Sequence, residues 1–357
     1  MVGTAGASWV PRGTGAFMST TSIRWGILGA GGIARTFARE LPHTRTGRLQ
    51  AVAARDADRA EALAREFDAP SSYGSYEEML ADERVDAVYI ATVHTNHHEW
   101  AARAADAGKH VLCEKPLAIS EAWTREAVEA ARRNGVFLAE AFAYRFFPQT
   151  EKLLELVRSG AIGRVRAVEA QYAFSANHDP GNRLFDAAVA GGGILDVGCY
   201  PASITRLIVG AALGHPFADP LTVAGAGHIG ETGVDEYAVA QLTFDDGITA
   251  TISAGIRVDG ERRVRILGTR GQIDVPSPFS VRQGESSEIL VSAIGRPTER
   301  IEVQQILQYG LEADAVGDRG DALEAPQMTW ADSLGNARLL DAWRAELGLV
   351  YPVERQP

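Results

Sequence analysis

Four short segments of the 357-residue chain carry side chains able to do chemistry at telling spacings. The first, Gly29-Ala30-Gly31-Gly32-Ile33-Ala34, is a GxGxxA pattern between a short apolar run and a helical one. Its first glycine suits a tight turn, its second lets a pyrophosphate approach the backbone, and the phosphate then sits at the positive end of the helix. The second segment replaces the acid that usually binds the ribose 2′-hydroxyl of NAD with Ala54 and Arg55. A guanidinium there can pair with a 2′-phosphate, and Arg59 adds charge one turn later, so NADP is expected, with NAD the alternative. The third is Cys113-Glu114-Lys115-Pro116, where an ammonium could donate to a substrate oxygen or help move a proton. The fourth runs from Gly191 to Pro201. Asp196 and Tyr200 are four residues apart and share a helix face, as a general acid/base pair would, and the glycines allow a substrate close approach. Taken singly, each has a plainer reading: a turn without a ligand, a solvated arginine, a surface lysine, a helix cap beside a packed tyrosine.

These residues need elements to hold them. Apolar runs at 24–29, 49–54, 87–91, 110–113 and 136–139 read as buried parallel strands. Between them, 33–41, 58–67 (capped by Asp56), 76–81, 97–107 (stopping at Gly108) and 120–134 read as helices. Strands alternating with helices imply right-handed crossovers and a doubly wound Rossmann sheet. Lys115 then follows the fourth strand, at the carboxyl edge where open parallel sheets bind ligands. Beyond residue 150 the pattern changes. A helix over 151–159, a long strand over 165–176 and an apolar helical segment over 194–213 are followed by period-two alternation. The Asp245-Asp246-Gly247 turn joins strands at 237–244 and 248–256, and Gly268-Thr269-Arg270 joins 263–267 to 271–275. A last helix covers 330–347. The expected fold class is α/β, with a C-terminal α+β domain built on an open, mostly antiparallel sheet. The expected division is a tail at 1–22, a dinucleotide-binding domain at 23–142, and a substrate-binding and oligomerisation domain at 143–357 whose last helix can pack back on the first.

The composition is 46 % hydrophobic with a formal net charge of −11. Such an acidic surface repels phosphate backbones and anionic lipid, which argues against nucleic-acid or membrane partners. Cys113 and Cys199 lack metal-ligand spacing, so no metal is expected, and so few cysteines suggest a reduced, cytoplasmic setting. No run of some eighteen apolar residues reads as a membrane span.

The segments WGILGAGGIA (25–34), AGKHVLCEKPLA (107–118), EAFAYRFFPQ (140–149) and GGGILDVGCY (191–200) together resemble the glucose-fructose oxidoreductase / inositol dehydrogenase / rhizopine catabolism (Gfo/Idh/MocA) family. The stretches AARD (53–56), RFFP (145–148) and ETGVDEYAVAQLTFDDG (231–247) are similar to its dihydrodiol and D-xylose dehydrogenase branch. The resemblance implies Lys115 as the catalytic lysine, Asp196 as the acid of a DxGxH-like motif, and Tyr200 in place of that motif's histidine. It implies Thr92, His94, His97 and Glu114 near the nicotinamide, with a structural role for His97 equally open. Tyr144 and Arg145 would face the cleft. Arg183 would bind a substrate hydroxyl or form a loop salt bridge, and His98 and His178 read as surface or loop residues. The expected activity is hydride transfer between NADP and a hydroxyl-bearing carbon of a sugar, polyol or cyclic diol. In oxidation Tyr200 would take the proton while Lys115 stabilises charge on the oxygen. A keto-sugar reductase, an NAD-dependent glycosidase of the same fold and a non-catalytic regulator are the alternatives. The open sheet of the second domain would leave one face uncovered, and the apolar residues on it are expected to pair with another copy in a dimer or tetramer.

Overall fold

The computed structural model describes residues 8–9, 22–179, 181–280, 286–304 and 307–355. Most of the expected N-terminal tail lies outside the described residues. The chain divides into two compact units, one of residues 13–146 and 307–334, the other of 1–12, 147–306 and 335–357.

The first unit is built on six parallel strands in the order Ser71–Tyr73, Gly47–Ala53, Ile23–Leu28, Ala87–Ile90, His110–Glu114, Leu138–Ala141. The central strands are apolar on both sides because helices cover both faces. Trp25, Ile27, Val52, Tyr89 and Leu112 pack with Phe37 and Leu63 on one face. Leu28, Ala51, Val88, Ile90 and Val111 pack with Met79, Trp100 and Val128 on the other. Helix starts follow the capping chemistry. Asp56 accepts from the N–H groups of Asp58 and Arg59, and Ser120 accepts from that of Trp123. The edge strand Ser71–Tyr73, absent from the five expected, is short and polar, and period alone does not reveal it.

Residues 307–334 belong to this unit and not, as the sequence division had it, to the second domain. Glu40 Oε2 caps the helix Gly310–Gly317 by accepting from the N–H groups of Gln308, Tyr309 and Gly310 at 2.9, 2.7 and 2.9 Å. Asp314 Oδ1 accepts from the backbone N–H groups of Arg45 and Thr46 and from the Thr46 hydroxyl, at 2.8 to 3.0 Å. These bonds tie the late segment to the early one.

The second unit carries a nine-stranded sheet in the order Ser8–Trp9, Glu299–Gln304, Ser286–Ala293, Gly271–Val275, Arg262–Gly268, Val165–Ala173, Thr249–Gly255, Asp235–Thr243, Thr222–Ile229. Only the Ser8–Trp9/Glu299–Gln304 and Val165–Ala173/Thr249–Gly255 pairs are parallel. The strands at 286–293 and 299–304 add to the hairpins expected from sequence. Val168, Ala170, Ala240, Ile252, Ala254, Val264 and Ile266 are buried on the inner face. The outer face mixes apolar and charged side chains, with Tyr237 and Val239 exposed on the strand Asp235–Thr243. It carries Glu169, Arg263, Arg265 and Asp274, with Arg263 Nε bonded to Asp274 Oδ1 at 2.8 Å and Arg265 paired with Glu169 at 3.5 Å. The helical stretch 187–213 is long and apolar enough to cross a membrane, but 94 % of its apolar window is buried within the protein, as in a core helix.

Candidate active site

The glycine turn follows the strand Ile23–Leu28 at the carboxyl edge of the parallel sheet. Gly29 has φ +110°, and a β-carbon there would lie 2.6 Å from the carbonyl oxygen of Ala91, so the position requires glycine. Gly31 and Gly32 instead face open space. Gly31 starts the helix Gly32–Glu40 with no side-chain cap and no acid in the first turn. The uncapped N–H groups and the clear approach fit a pyrophosphate beside Ala30, Ile33 and Ala34. Arg59 Nη2 reaches across to donate to the carbonyl oxygen of Ala30 at 3.1 Å. Arg55 is exposed, and its side chain makes no hydrogen bond or ion pair among the described residues. Burial raises the Tyr76 phenol pKa, and Arg55 and Arg59 both oppose that shift, so the two cations act on one neighbourhood. The donor set fits a dinucleotide, and Arg59 brings positive charge to the glycine turn.

Lys115 follows the strand His110–Glu114 at the same edge, and its peptide bond to Pro116 is cis. The backbone around it is held closely. Glu114 Oε2 accepts from the Lys115 N–H at 3.3 Å, while Oε1 accepts from the Tyr89 hydroxyl. His97 Nδ1 lies 2.8 Å from the Pro116 carbonyl oxygen, and Nε2 lies 3.1 Å from that of Thr92. His97 is therefore a buried link between two strand ends, which supports its structural reading. His94 is also buried, its ring centroid 5.9 Å from that of His97. His98 is half-buried, stacking on Trp123 at 4.3 Å, and burial lowers its pKa.

In the second unit, residues Ile194–Gly198 form a π-helical turn that leads into the helix Cys199–Leu213. Such wider turns recur at functional sites. Asp196 is largely buried and accepts from Arg183 Nη1 at 2.9 Å. Arg183 thus forms the loop salt bridge that was one of its two readings. The Tyr200 ring lies 5.4 Å from Tyr172 and 5.2 Å from Phe279, which stack on each other at 5.5 Å. The triple glycine does not leave room for a substrate as expected. A β-carbon on Gly191 would lie 2.5 Å from the carbonyl oxygen of Arg183, and one on Gly192 only 2.2 Å from Asp235 Oδ1.

Asp235 is the residue that sequence reasoning missed. It is fully buried, and Oδ2 accepts from the Ile194 N–H at 2.6 Å, which fixes the start of the turn that carries Asp196. Burial pushes its carboxyl up to about 7 despite those backbone N–H groups. The signal was present in the GVDEY stretch, where an acid opens a strand at a β-bulge. Tyr144 and Arg145 follow the last strand of the parallel sheet. Both are buried, with Arg145 Nη1 2.9 Å from Asp332 and Nε donating to the Tyr144 hydroxyl at 2.8 Å.

A parallel sheet with an open glycine turn and a lysine at the same edge, followed by a unit presenting Asp196 and Tyr200, defines a pyridine-nucleotide oxidoreductase. The family described as "Oxidoreductase family, NAD-binding Rossmann fold" matches residues 23–142, and the "GFO/IDH/MocA C-terminal domain" matches 150–274. The chain is 35 % identical over 343 residues to the mouse trans-1,2-dihydrobenzene-1,2-diol dehydrogenase, covering 94 % of this chain and 100 % of that one. Among solved structures, the 3-ketoreductase KijD10 from Actinomadura kijaniata, in complex with NADP and TDP-benzene, has a TM-score of 0.82 and 27 % identity over 92 % of this chain and 98 % of that one. The aldose-aldose oxidoreductase from Caulobacter crescentus has a TM-score of 0.80 and 26 % identity over 91 % and 97 %. The chain belongs to the Gfo/Idh/MocA family of oxidoreductases. It is an NAD(P)-dependent enzyme acting on CH–OH groups.

Proposed function

We propose that the enzyme uses NADP to interconvert a secondary alcohol and a ketone, or a hemiacetal and a lactone, on a sugar, polyol or cyclic diol. The carrying observation is the placement of Lys115 on the same sheet edge as the open glycine turn, with Arg55 and Arg59 beside that turn. When bound, the nicotinamide exchanges hydride with the reacting carbon. The Lys115 ammonium donates to the substrate oxygen and lowers the cost of charge developing there. The Tyr200 phenol exchanges the hydroxyl proton, and Asp196 holds the Arg183 guanidinium in place. The dihydrodiol dehydrogenase relatives support a diol. The 3-ketoreductase neighbour favours a second reading, the same chemistry run reductively on a keto-sugar.

A panel of aldoses, polyols and aromatic diols, followed by NADPH absorbance with NADP and NAD in parallel, tests this reading. One or more of these substrates should reduce NADP faster than NAD. Arg55→Ala should raise KM for NADP about tenfold to a hundredfold, as expected for a lost bond to a charged phosphate, and leave KM for NAD unchanged. Equal effects on both coenzymes would overturn the assignment of Arg55.

A further inference from the structure

The EAFAYR stretch (140–145) has no task in the scheme above, yet its two charged side chains are buried. Glu140 lies on the strand Leu138–Ala141, opposite Cys113 on the strand that delivers Lys115. Its Oε1 accepts from the Leu117 N–H at 2.9 Å. His97 Nδ1 lies 2.8 Å from the Pro116 carbonyl oxygen, and Glu114 Oε2 accepts from the Lys115 N–H. The turn is therefore gripped at three successive residues, each through a backbone atom. Arg145, paired with Asp332, anchors the other end of the same stretch.

We propose that Glu140 is a positioning residue for Lys115: through the Leu117 N–H it fixes the Lys115–Leu117 turn, and thereby the place of the ammonium. The proposal rests on the reading of Lys115 as the catalytic lysine. A bond from an N–H to a carboxylate is shorter and stronger than one to a neutral carboxyl, so the grip depends on the charge of Glu140. Burial pushes Glu140 up to about 7, and the charge of Asp332 acts in the same direction. The Ser333 hydroxyl, the Leu117 N–H and the Arg145 guanidinium favour the ionised form but do not overcome burial. The Cys113 thiol on the neighbouring strand is pushed well up by burial and by Glu114 and Glu140, so it stays neutral and adds no competing charge. The grip thus tightens as pH rises through neutrality.

The chain has only three lysines, Lys109, Lys115 and Lys152. Reductive ¹³C-methylation of the full chain therefore gives a lysine spectrum simple enough to assign with Lys115→Arg. In the unmutated protein the Lys115 resonance should shift with an inflection near pH 7. Glu140→Gln keeps the shape and removes the charge. That variant should lose the inflection while the Lys109 and Lys152 resonances stay in place. It should also lower kcat about tenfold, abolish the rise of activity near pH 7, and leave KM for NADP unchanged. A Lys115 resonance and pH profile that are the same in both proteins would overturn the proposal. So would a change in all three resonances, which would show a merely structural role. If the unmutated enzyme turns over none of the substrates, the functional reading fails, while the Lys115 resonance still decides the role of Glu140.

Discussion

Two sets of glycines in this chain do opposite things, and the difference separates ligand sites from packing. Gly31 and Gly32 look onto open space ahead of an uncapped helix, where a bound anion would lie. Gly192 has φ +108° and sits against Asp235 Oδ1, whose carboxyl cannot retreat because Oδ2 is bonded to the Ile194 N–H. Gly192→Ala should cost about 3 kcal/mol of stability, the scale of a backbone-strained and overpacked site. Gly31→Ala, at φ −91°, should unfold close to the parent and instead weaken NADP binding. Denaturant titration of both variants separates the roles, and equal destabilisation would contradict them. The composition of GGG and GxG does not tell these cases apart. Only the neighbours brought in by the fold do.

At the scale of elements, the parallel strands and their helices were legible because each is a continuous apolar run or a capped amphipathic repeat. What was not legible has physical reasons. The helix Gly310–Gly317 buries Glu312 and Asp314, so in sequence it looks polar and unhelical. Asp314 is buried because backbone donors near Thr46 meet it, a long-range match invisible to local pattern. The strands Ser286–Ala293 and Glu299–Gln304 lie toward one end of their sheet and turn Glu288, Arg300 and Glu302 outward. The groups that hold the Lys115 turn come from 19 and 23 residues away along the chain, beyond its four-residue context. Nothing in the sequence links Arg145 to Asp332, the partner it meets in the fold.

Across the whole molecule, buried carboxyls set the response to pH. Glu140 and Asp235 are each pushed up to about 7, and Glu312 well above its ordinary range, in each case mainly by burial. A carboxyl whose pKa is raised on folding stabilises fully below its unfolded value near 4, and that stability is lost as pH rises through the folded value. His110, lowered to about 4 by burial and by Arg319, acts the other way between about 4 and 6.5 but does not outweigh three acids. The net charge of −11 adds self-repulsion that grows with pH. Thermal unfolding should therefore show a lower Tm at pH 8 than at pH 5.5, and Asp235→Asn should flatten part of that slope. A Tm that rises over this interval would contradict the assignment. The proposed hydride transfer depends on Lys115 serving chemistry and not architecture. The most direct measurement is kcat and NADP affinity of Lys115→Ala, side by side with the parent enzyme. The expected result is a loss of about a hundredfold to a thousandfold in kcat, as for removal of one donor to a developing oxyanion, with NADP affinity essentially unchanged. Full turnover in that variant would contradict the proposed role of the lysine.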